Sequence, residues 1–304
     1  MAVGTLSDAC SNRAFAVGEP LAGTAPFAPA WIAIEQNGPF GRDALTESHL
    51  DPEIGQRVAQ VCNSLSIRPA LIRHPGRHAD DHSKNLPRTV YIADSRPGQA
   101  QLVKAVIEDP VELLRIDYAA IAAGELMDAH PLADPVDEAI LLVCSHARRD
   151  VCCARKGRPI ALELGLDPQF PDRVWECSHL GGHRFAATAV QLPHGWVHGR
   201  LEMESAKQLL LDADAGTVNW ESARGRSAFT PGAQAADIAF RQAETITGID
   251  ATTVSELSEN TYSVNTFDGR AGTVSTHIAD LPDDRPESCG KAPMHGTYIS
   301  ATVL

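Results

Sequence analysis

The sequence predicts an α/β fold: two layers, each a mixed sheet flanked by helices, followed by a carboxy-terminal helix and β-hairpin extension. Three observations predict it. Short apolar runs of strand length alternate with segments of helical spacing. A stretch rich in proline and small residues, AHPLADP (Ala129 to Pro135), separates two such sets. Hydrophobic residues make up 43% and charged residues 21%, the composition of a folded globular chain rather than a fibrous or disordered one. At about 150 residues per domain, the 304 residues predict two domains and a fragment, expected as residues 1–130 and 131–220 with an extension at 221–304.

Each element follows from local pattern. AWIAIEQ (Ala30 to Gln36) reads as an apolar strand, and Asp51 to Leu65 as a helix with an Asp cap followed by Pro. Ile67 to Pro75 and Arg88 to Ser95 read as strands, and GQAQLVKAVI (Gly98 to Ile107) as a helix. Between them, Pro75 to Pro87 is polar and bounded by prolines, hence a surface loop. In the second unit, Ala139 to His146 is a buried strand ending in a cysteine, Arg158 to Leu166 a helix, and Arg173 to His179 and Arg184 to Leu192 strands. Pro193 to Leu201 supplies a turn and partner strand, and Glu204 to Gly216 a helix with a glycine stop. Strand, helix, strand, strand, helix is the core order of a thioredoxin-like layer. A helix in Gln234 to Gly248, a hairpin in Thr261 to Ile278 around DGRAG, and a last strand at Thr297 to Leu304 complete the chain. No repeat with a period of 20 to 50 residues is visible, and the sequence does not show the two units to be copies of one fold.

The formal charge of −13 disfavours nucleic acid and anionic membranes as partners. No apolar run approaches the roughly 20 residues that span a bilayer, and MAVGTLSDAC lacks the basic and apolar regions of a secretory signal. The expected compartment is the cytoplasm. Seven cysteines, an odd number with two adjacent, do not form the framework of a secreted disulfide protein, which leaves metal or redox chemistry.

Four of those cysteines, Cys144, Cys152, Cys153 and Cys177, fall within one 34-residue window. Cys144 closes a strand and Cys153 follows nine positions later. His179 and His183 come next as H-L-G-G-H, where the glycines permit a turn tight enough for both imidazoles to face one point. Two thiolates and two imidazoles suit zinc or an iron–sulfur cluster. Structural zinc sites usually bring cysteines as C-x(2–4)-C, so C-x(8)-C favours the larger object, a [2Fe–2S] core. With two ferric ions, two sulfides and two thiolates the charge sums to zero, and a less negative core accepts an electron more readily. Histidine ligation accordingly lifts the potential from roughly −400 mV to about −150 mV or higher. A ligating histidine with a proton on its second nitrogen would also couple electron and proton transfer.

Neighbouring residues offer alternatives. Cys152 and Cys177 compete for ligand roles, and the residues alone leave Cys152 and Cys153 open. His146 is placed to orient Cys144 or tune the centre. Arg148, Arg149, Arg155, Lys156 and Arg158 oppose a single acid, Asp150, and read either as a solvated face or as a dock for an acidic partner. His74, His78 and His82, with Asp80 and Asp81, would line a helix as a second metal site, but Pro75 and Gly76 argue for an exposed loop. Cys10 and Cys62 read as plain small side chains, and Cys289 as an unassigned turn cysteine. His194 and His198 flank a hairpin, near the centre or merely covering it.

C-x(8)-C followed by H-x-G-G-H resembles the sucrase/ferredoxin-like family of thioredoxin-like ferredoxins. GGHRFAATAV (Gly181 to Val190), HGRL (His198 to Leu201), Glu19 to Leu45 and LIRHPGR (Leu71 to Arg77) extend the likeness. The resemblance implies a [2Fe–2S] cluster on Cys144, Cys153, His179 and His183, with the reducible iron on the histidines. It selects Cys153 over Cys152 by spacing, and implies electron transfer with unidentified donor and acceptor, and homodimers as one arrangement. No carboxylate pair takes acid and nucleophile roles, so sugar cleavage is not expected. The other classes consistent with the residues are a thiol-disulfide enzyme using Cys152, Cys153 or Cys177, weakened by the lack of C-x-x-C, and a zinc-stabilised binding module. No G-x-G-x-x-G fingerprint points to a nicotinamide or flavin.

Overall fold

The computed structural model describes residues 9–76 and 87–304. A first helix, α1 (Cys10–Ala16), precedes β1 (Ala30–Glu35), a fully buried strand. A short helix, α2 (Ala44–Glu47), leads to α3 (Pro52–Ser64). The Asp51 side chain accepts the backbone N–H groups of Glu53 and Ile54, and Pro52 occupies a position whose N–H would lack an intrahelical partner anyway. The chain returns in β2 (Ile67–Arg73), parallel to β1, then forms β3 (Arg88–Asp94) antiparallel to β1 and β4 (Gln101–Ile107) antiparallel to β3. Helix α4 (Tyr118–Ala123) and the two-residue β5 (Asp134–Pro135) close this half.

The second half repeats the order with β6 (Ile140–Cys144), α5 (Arg158–Gly165), β7 (Val174–Cys177), β8 (Ala189–Leu192), β9 (Trp196–His198), α6 (Met203–Asp214) and β10 (Ala223–Arg226). All ten strands form one mixed sheet, ordered β10-β9-β8-β6-β7-β2-β1-β3-β4-β5. At the seam β2 and β7 run antiparallel, pairing Ile72 with Cys177 and Arg73 with Glu176. Buried Glu176 accepts from Arg73 Nε at 3.0 Å and from Ser145 Oγ at 2.9 Å, which places an ion pair across the join.

Helices cover one face of each half. Ile32, Ile34, Leu71 and Ile92 pack with Val58 of α3 and Ile121 of α4; Leu141 and Val143 pack with Leu164 of α5 and Leu209 of α6. The opposite face is one cluster running across the seam, containing Trp31, Tyr91, Trp175, Cys144, Cys153 and Cys177. The last unit is α7 (Pro231–Glu244) on an antiparallel sheet of β11 (Thr252–Ser258), β12 (Thr261–Thr266), β13 (Ala271–Asp280) and β14 (Thr297–Val303), joined through Phe240, Tyr262, Val264 and Val274.

The expected elements stand with three changes. Residues 98–107 are not a helix: Gln101–Ile107 is β4. Leu102, Val103, Ala105 and Ile107 are buried while Gln101 and Val106 are exposed, and Gly98 at φ +70° turns the chain back along β3 in full register. Within residues 184–192 only Ala189–Leu192 is strand, because His183–Phe185 form a 3₁₀ turn. Helix α7 begins at Pro231, three residues before the expected start, with proline at its first turn. Among the described residues, no helix is long and apolar enough to cross a membrane.

Candidate metal centre

Strand β6 delivers Cys144 to the end of the sheet. After a loop, helical backbone begins at residue 151 and loosens into a π turn over Cys153–Gly157, a distortion that recurs at functional sites. A Cβ on Gly157 would stand 2.1 Å from the Cys144 carbonyl oxygen, so only glycine lets this turn pack against the strand end. Consecutive helical residues point about 100° apart. Cys152 and Cys153 therefore face different surroundings, and Cys153 is the one that meets Cys144. Their sulfurs and a ring nitrogen of His179 lie within 4.8 Å of one another.

These groups share protons. A hydrogen bond from Cys153 holds the Cys144 thiol well below its ordinary pKa, helped by His179 and the His146 backbone N–H. The same hydrogen bond, with burial, raises Cys153. The pair thus favours one thiolate and one thiol, a state that metal binding would complete by displacing the remaining proton.

The H-L-G-G-H segment follows β7. Gly181 and Gly182 adopt φ +85° and +68°, the left-handed region that glycine enters freely. A Cβ on Gly182 would fall 2.4 Å from the Arg224 guanidinium. His146 sets the start of this loop: its Nδ1 accepts the His179 backbone N–H at 3.1 Å, so its Nε2 carries the proton and donates to Gly41 O at 2.8 Å. Burial lowers the His146 pKa, which keeps the ring in this neutral form. The His179 Nδ1 is buried without a hydrogen bond. His183 lies beside it, ring centroids 5.5 Å apart, outside the 4.8 Å group. Its Nε2 is 3.7 Å from Asp150 Oδ2, and burial lowers its pKa despite that acid.

Two cations flank the loop, Arg224 buried and Arg68 half-buried. Arg224 donates to Gly181 O at 2.9 Å and to Thr24 O, and Arg68 donates to His179 O at 3.4 Å. Burial pushes Arg224 down to about 9, opposed by Cys144 and Cys153. Arg68 is lowered by burial and held up by Cys177 and Cys144.

Of the other candidates, Cys177 sits in the apolar cluster beside Cys144, its thiol raised by burial, and does not join the sulfur–nitrogen group. Arg148 and Arg149, between the two cysteines, and Arg155 and Arg158, just after Cys153, are exposed, with Arg158 3.5 Å from Glu176. His194 faces Arg226 and Asp250, and buried His198 meets Ser222 Oγ at 3.0 Å; neither joins the centre. His74 stacks on Trp175 with centroids 4.0 Å apart. His78, Asp80, Asp81 and His82 lie outside the described residues. Cys62 is buried in the first half, its thiol pushed up to about 12 by burial.

Residue-by-residue reading missed a second group. Cys10, Asp150, Cys152 and Cys289 bring one donor atom each within 4.8 Å of the others. The one local signal was the adjacent cysteine pair, since neighbours on a helix cannot serve a single point. Cys152, a competing ligand for the first centre on spacing, belongs here.

A mixed α/β fold with buried cysteine–histidine and cysteine–carboxylate groups defines the class, an α/β protein with candidate metal sites. The chain belongs to the sucrase/ferredoxin-like family, whose model matches residues 21–225. Comparison with curated proteins and with solved structures returned no match.

Proposed function

We propose that this protein carries single electrons on a [2Fe–2S] cluster held by Cys144, Cys153, His179 and His183. The observation that carries the reading is the buried convergence of two sulfurs and an imidazole nitrogen, with a His179 Nδ1 that no hydrogen bond satisfies. When bound, the cluster supplies a store for one electron at a potential of about −150 mV or higher. The donor set suits it: two soft sulfurs and two borderline nitrogens, with membership in a ferredoxin-like family behind them.

The chain's own residues supply the rest. Half-buried Arg68 and buried Arg224 hold positive charge against the ligand loop, which favours an added electron. His146 fixes the His179 backbone. The His183 side chain is about one-fifth exposed, giving a ring proton access to solvent beside Asp150 and coupling electron uptake to proton uptake. Arg148, Arg149 and Arg155 present an exposed basic rim on a chain of net charge −13, a surface that steers an acidic donor or acceptor protein to this end of the sheet.

The test is optical and electron paramagnetic resonance spectroscopy of anaerobically purified, dithionite-reduced protein. A red-brown protein with a reduced-state signal is expected, and a colourless, iron-free protein would overturn the reading. Cys144→Ser should lose most of its iron. His179→Cys should keep a cluster at lower potential, because an anion replaces a neutral ligand; an unchanged potential excludes histidine ligation there.

A further inference from the structure

We propose that Cys10, Asp150, Cys152 and Cys289 form a second, mononuclear zinc site that clasps the amino-terminal helix and a carboxy-terminal segment to the start of the cysteine-bearing helix.

The sulfurs of Cys10 and Cys152 are 3.5 Å apart, those of Cys152 and Cys289 3.2 Å, and those of Cys289 and Cys10 3.6 Å. Asp150 Oδ2 is 3.7 Å from Cys10 Sγ. A disulfide requires about 2.05 Å, so no two of these atoms are bonded, and three sulfurs at nearly equal separation leave no natural pair. A zinc–sulfur bond of about 2.3 Å in tetrahedral geometry gives a sulfur–sulfur edge of roughly 3.8 Å. The observed triangle and its carboxylate apex approach that size, which suits one ion. Three thiolates and a carboxylate match the ligand types zinc takes.

The surroundings prepare the donors. Asp150 is oriented by backbone N–H groups, Cys152 N to Oδ1 at 2.8 Å and Cys289 N to Oδ2 at 2.9 Å. Ser11 Oγ donates to Cys152 Sγ at 3.4 Å, a contact that supports a thiolate. Such partners orient metal ligands. Cys10, Cys152 and Asp150 are buried, while Cys289 is partly exposed and opens a route for the ion.

Chain positions give the purpose. Cys10 lies 142 residues from Cys152 and 279 from Cys289, and both Cys10 and Cys289 fall outside the family-matched residues 21–225. The site thus ties two segments outside the family match to Asp150 and Cys152 within it. The same segments are tied nearby by buried Glu19, which accepts from Arg285 Nε at 2.6 Å and from Arg184 Nε at 2.8 Å. Because donors so remote gather only in the folded chain, zinc affinity here is folding free energy. Asp150 also faces His183, so the clasp fixes the acid beside the first centre.

Full-length protein made in zinc-supplemented medium and dialysed against metal-free buffer should hold one zinc per chain by elemental analysis. The Cys144→Ser/Cys153→Ser double variant, which disables the first centre, should keep that zinc. Cys10→Ser and Cys289→Ser should each lose it at least fivefold while the iron content stays. Zinc-edge X-ray absorption of the wild type reads the donors directly even if a variant fails to fold: three sulfurs and one oxygen support the site, and two sulfurs with two nitrogens place zinc in the first centre and overturn it. Wild-type protein without zinc, or a Cys152–Cys289 disulfide by mass spectrometry, also overturns it. Iron content is read separately, so failure of the electron-transfer reading leaves the zinc count informative.

Discussion

In the first half of the sheet the strands lie β2-β1-β3-β4, and in the second β7-β6-β8-β9, each built as parallel strand–helix–strand followed by two antiparallel strands. The seam pair Ile72 with Cys177 relates the halves by an approximate twofold, and the register maps Glu35, opposite Ile72, onto Cys144, opposite Cys177. Residues after β2 read H-P-G-R-H from His74, where those after β7 read H-L-G-G-H from His179. Gly76 and Gly181 even share left-handed backbone, φ +79° and +85°. Yet the first half has no thiol at the strand end. Glu35 stands there and accepts the Thr89 N–H at 3.0 Å, tying β1 to β3. One scaffold thus occurs twice, and a few residues at strand ends decide which copy can hold a metal.

If the halves act as one sheet, the largest effect should come from breaking their join. Glu176→Gln leaves the Arg73 guanidinium without its carboxylate in a buried setting, and removing one partner of such a pair costs about 3–5 kcal/mol. Urea unfolding followed by tryptophan fluorescence should show one transition moved to lower urea by that amount. A loss under about 1 kcal/mol would mean that the seam contributes little and the halves stand independently.

The two copies explain why some of this was legible in the sequence and some was not. Strands such as Ala30–Glu35 and Ile140–Cys144 announce themselves as apolar runs, and Cys144, Cys153, His179 and His183 sit close enough in sequence for spacing to speak. The repeat was hidden because buried strands accept almost any apolar residue, so that in the paired strands β1/β6 and β2/β7 equivalent positions share only Ala30 with Ala139 and Arg68 with Arg173. Residues 98–107 looked helical because Leu102, Val103, Val106 and Ile107 fall at helical spacing, while the strand buries adjacent Leu102 and Val103 and so shows no clean alternation. The Cys10, Cys152 and Cys289 group was beyond reach, because its members come together only through the third dimension. The resemblance preferred Cys153 by spacing, but the packing reason that Cys153 rather than Cys152 meets Cys144, two neighbours on one helix facing apart, lay outside the residues.

The halves should also differ in acid. His146, His183, His194 and His198, all pushed down by burial, lie in the second half, His194 to about 4 and His198 to about 3. An unfolded histidine takes up its proton near pH 6.5, whereas buried His198 does so only near 3. The unfolded state therefore binds more protons across this window, and the stability is full above pH 6.5 and falls as pH drops. For His198 the loss between pH 6.5 and 5 is about 2 kcal/mol. His198→Asn, which keeps a partner for Ser222, should recover that amount in urea titrations at pH 7 and 5. Equal losses in variant and wild type would place the acid sensitivity elsewhere.

The smallest effect compares the two helix starts. Each half opens its helix with an aspartate: Asp51 accepts the Glu53 and Ile54 N–H groups, and Asp150 accepts that of Cys152. Asp51 is exposed, and loss of such a cap costs about 1 kcal/mol. Asp51→Ala should therefore lower stability by that amount in urea unfolding and leave iron content unchanged. Asp150 is buried against Cys10, Cys289 and His183, so Asp150→Ala should cost more than its cap alone. Equal costs in the two variants would show that Asp150 only starts a helix, as Asp51 does, and would separate it from both metal groups.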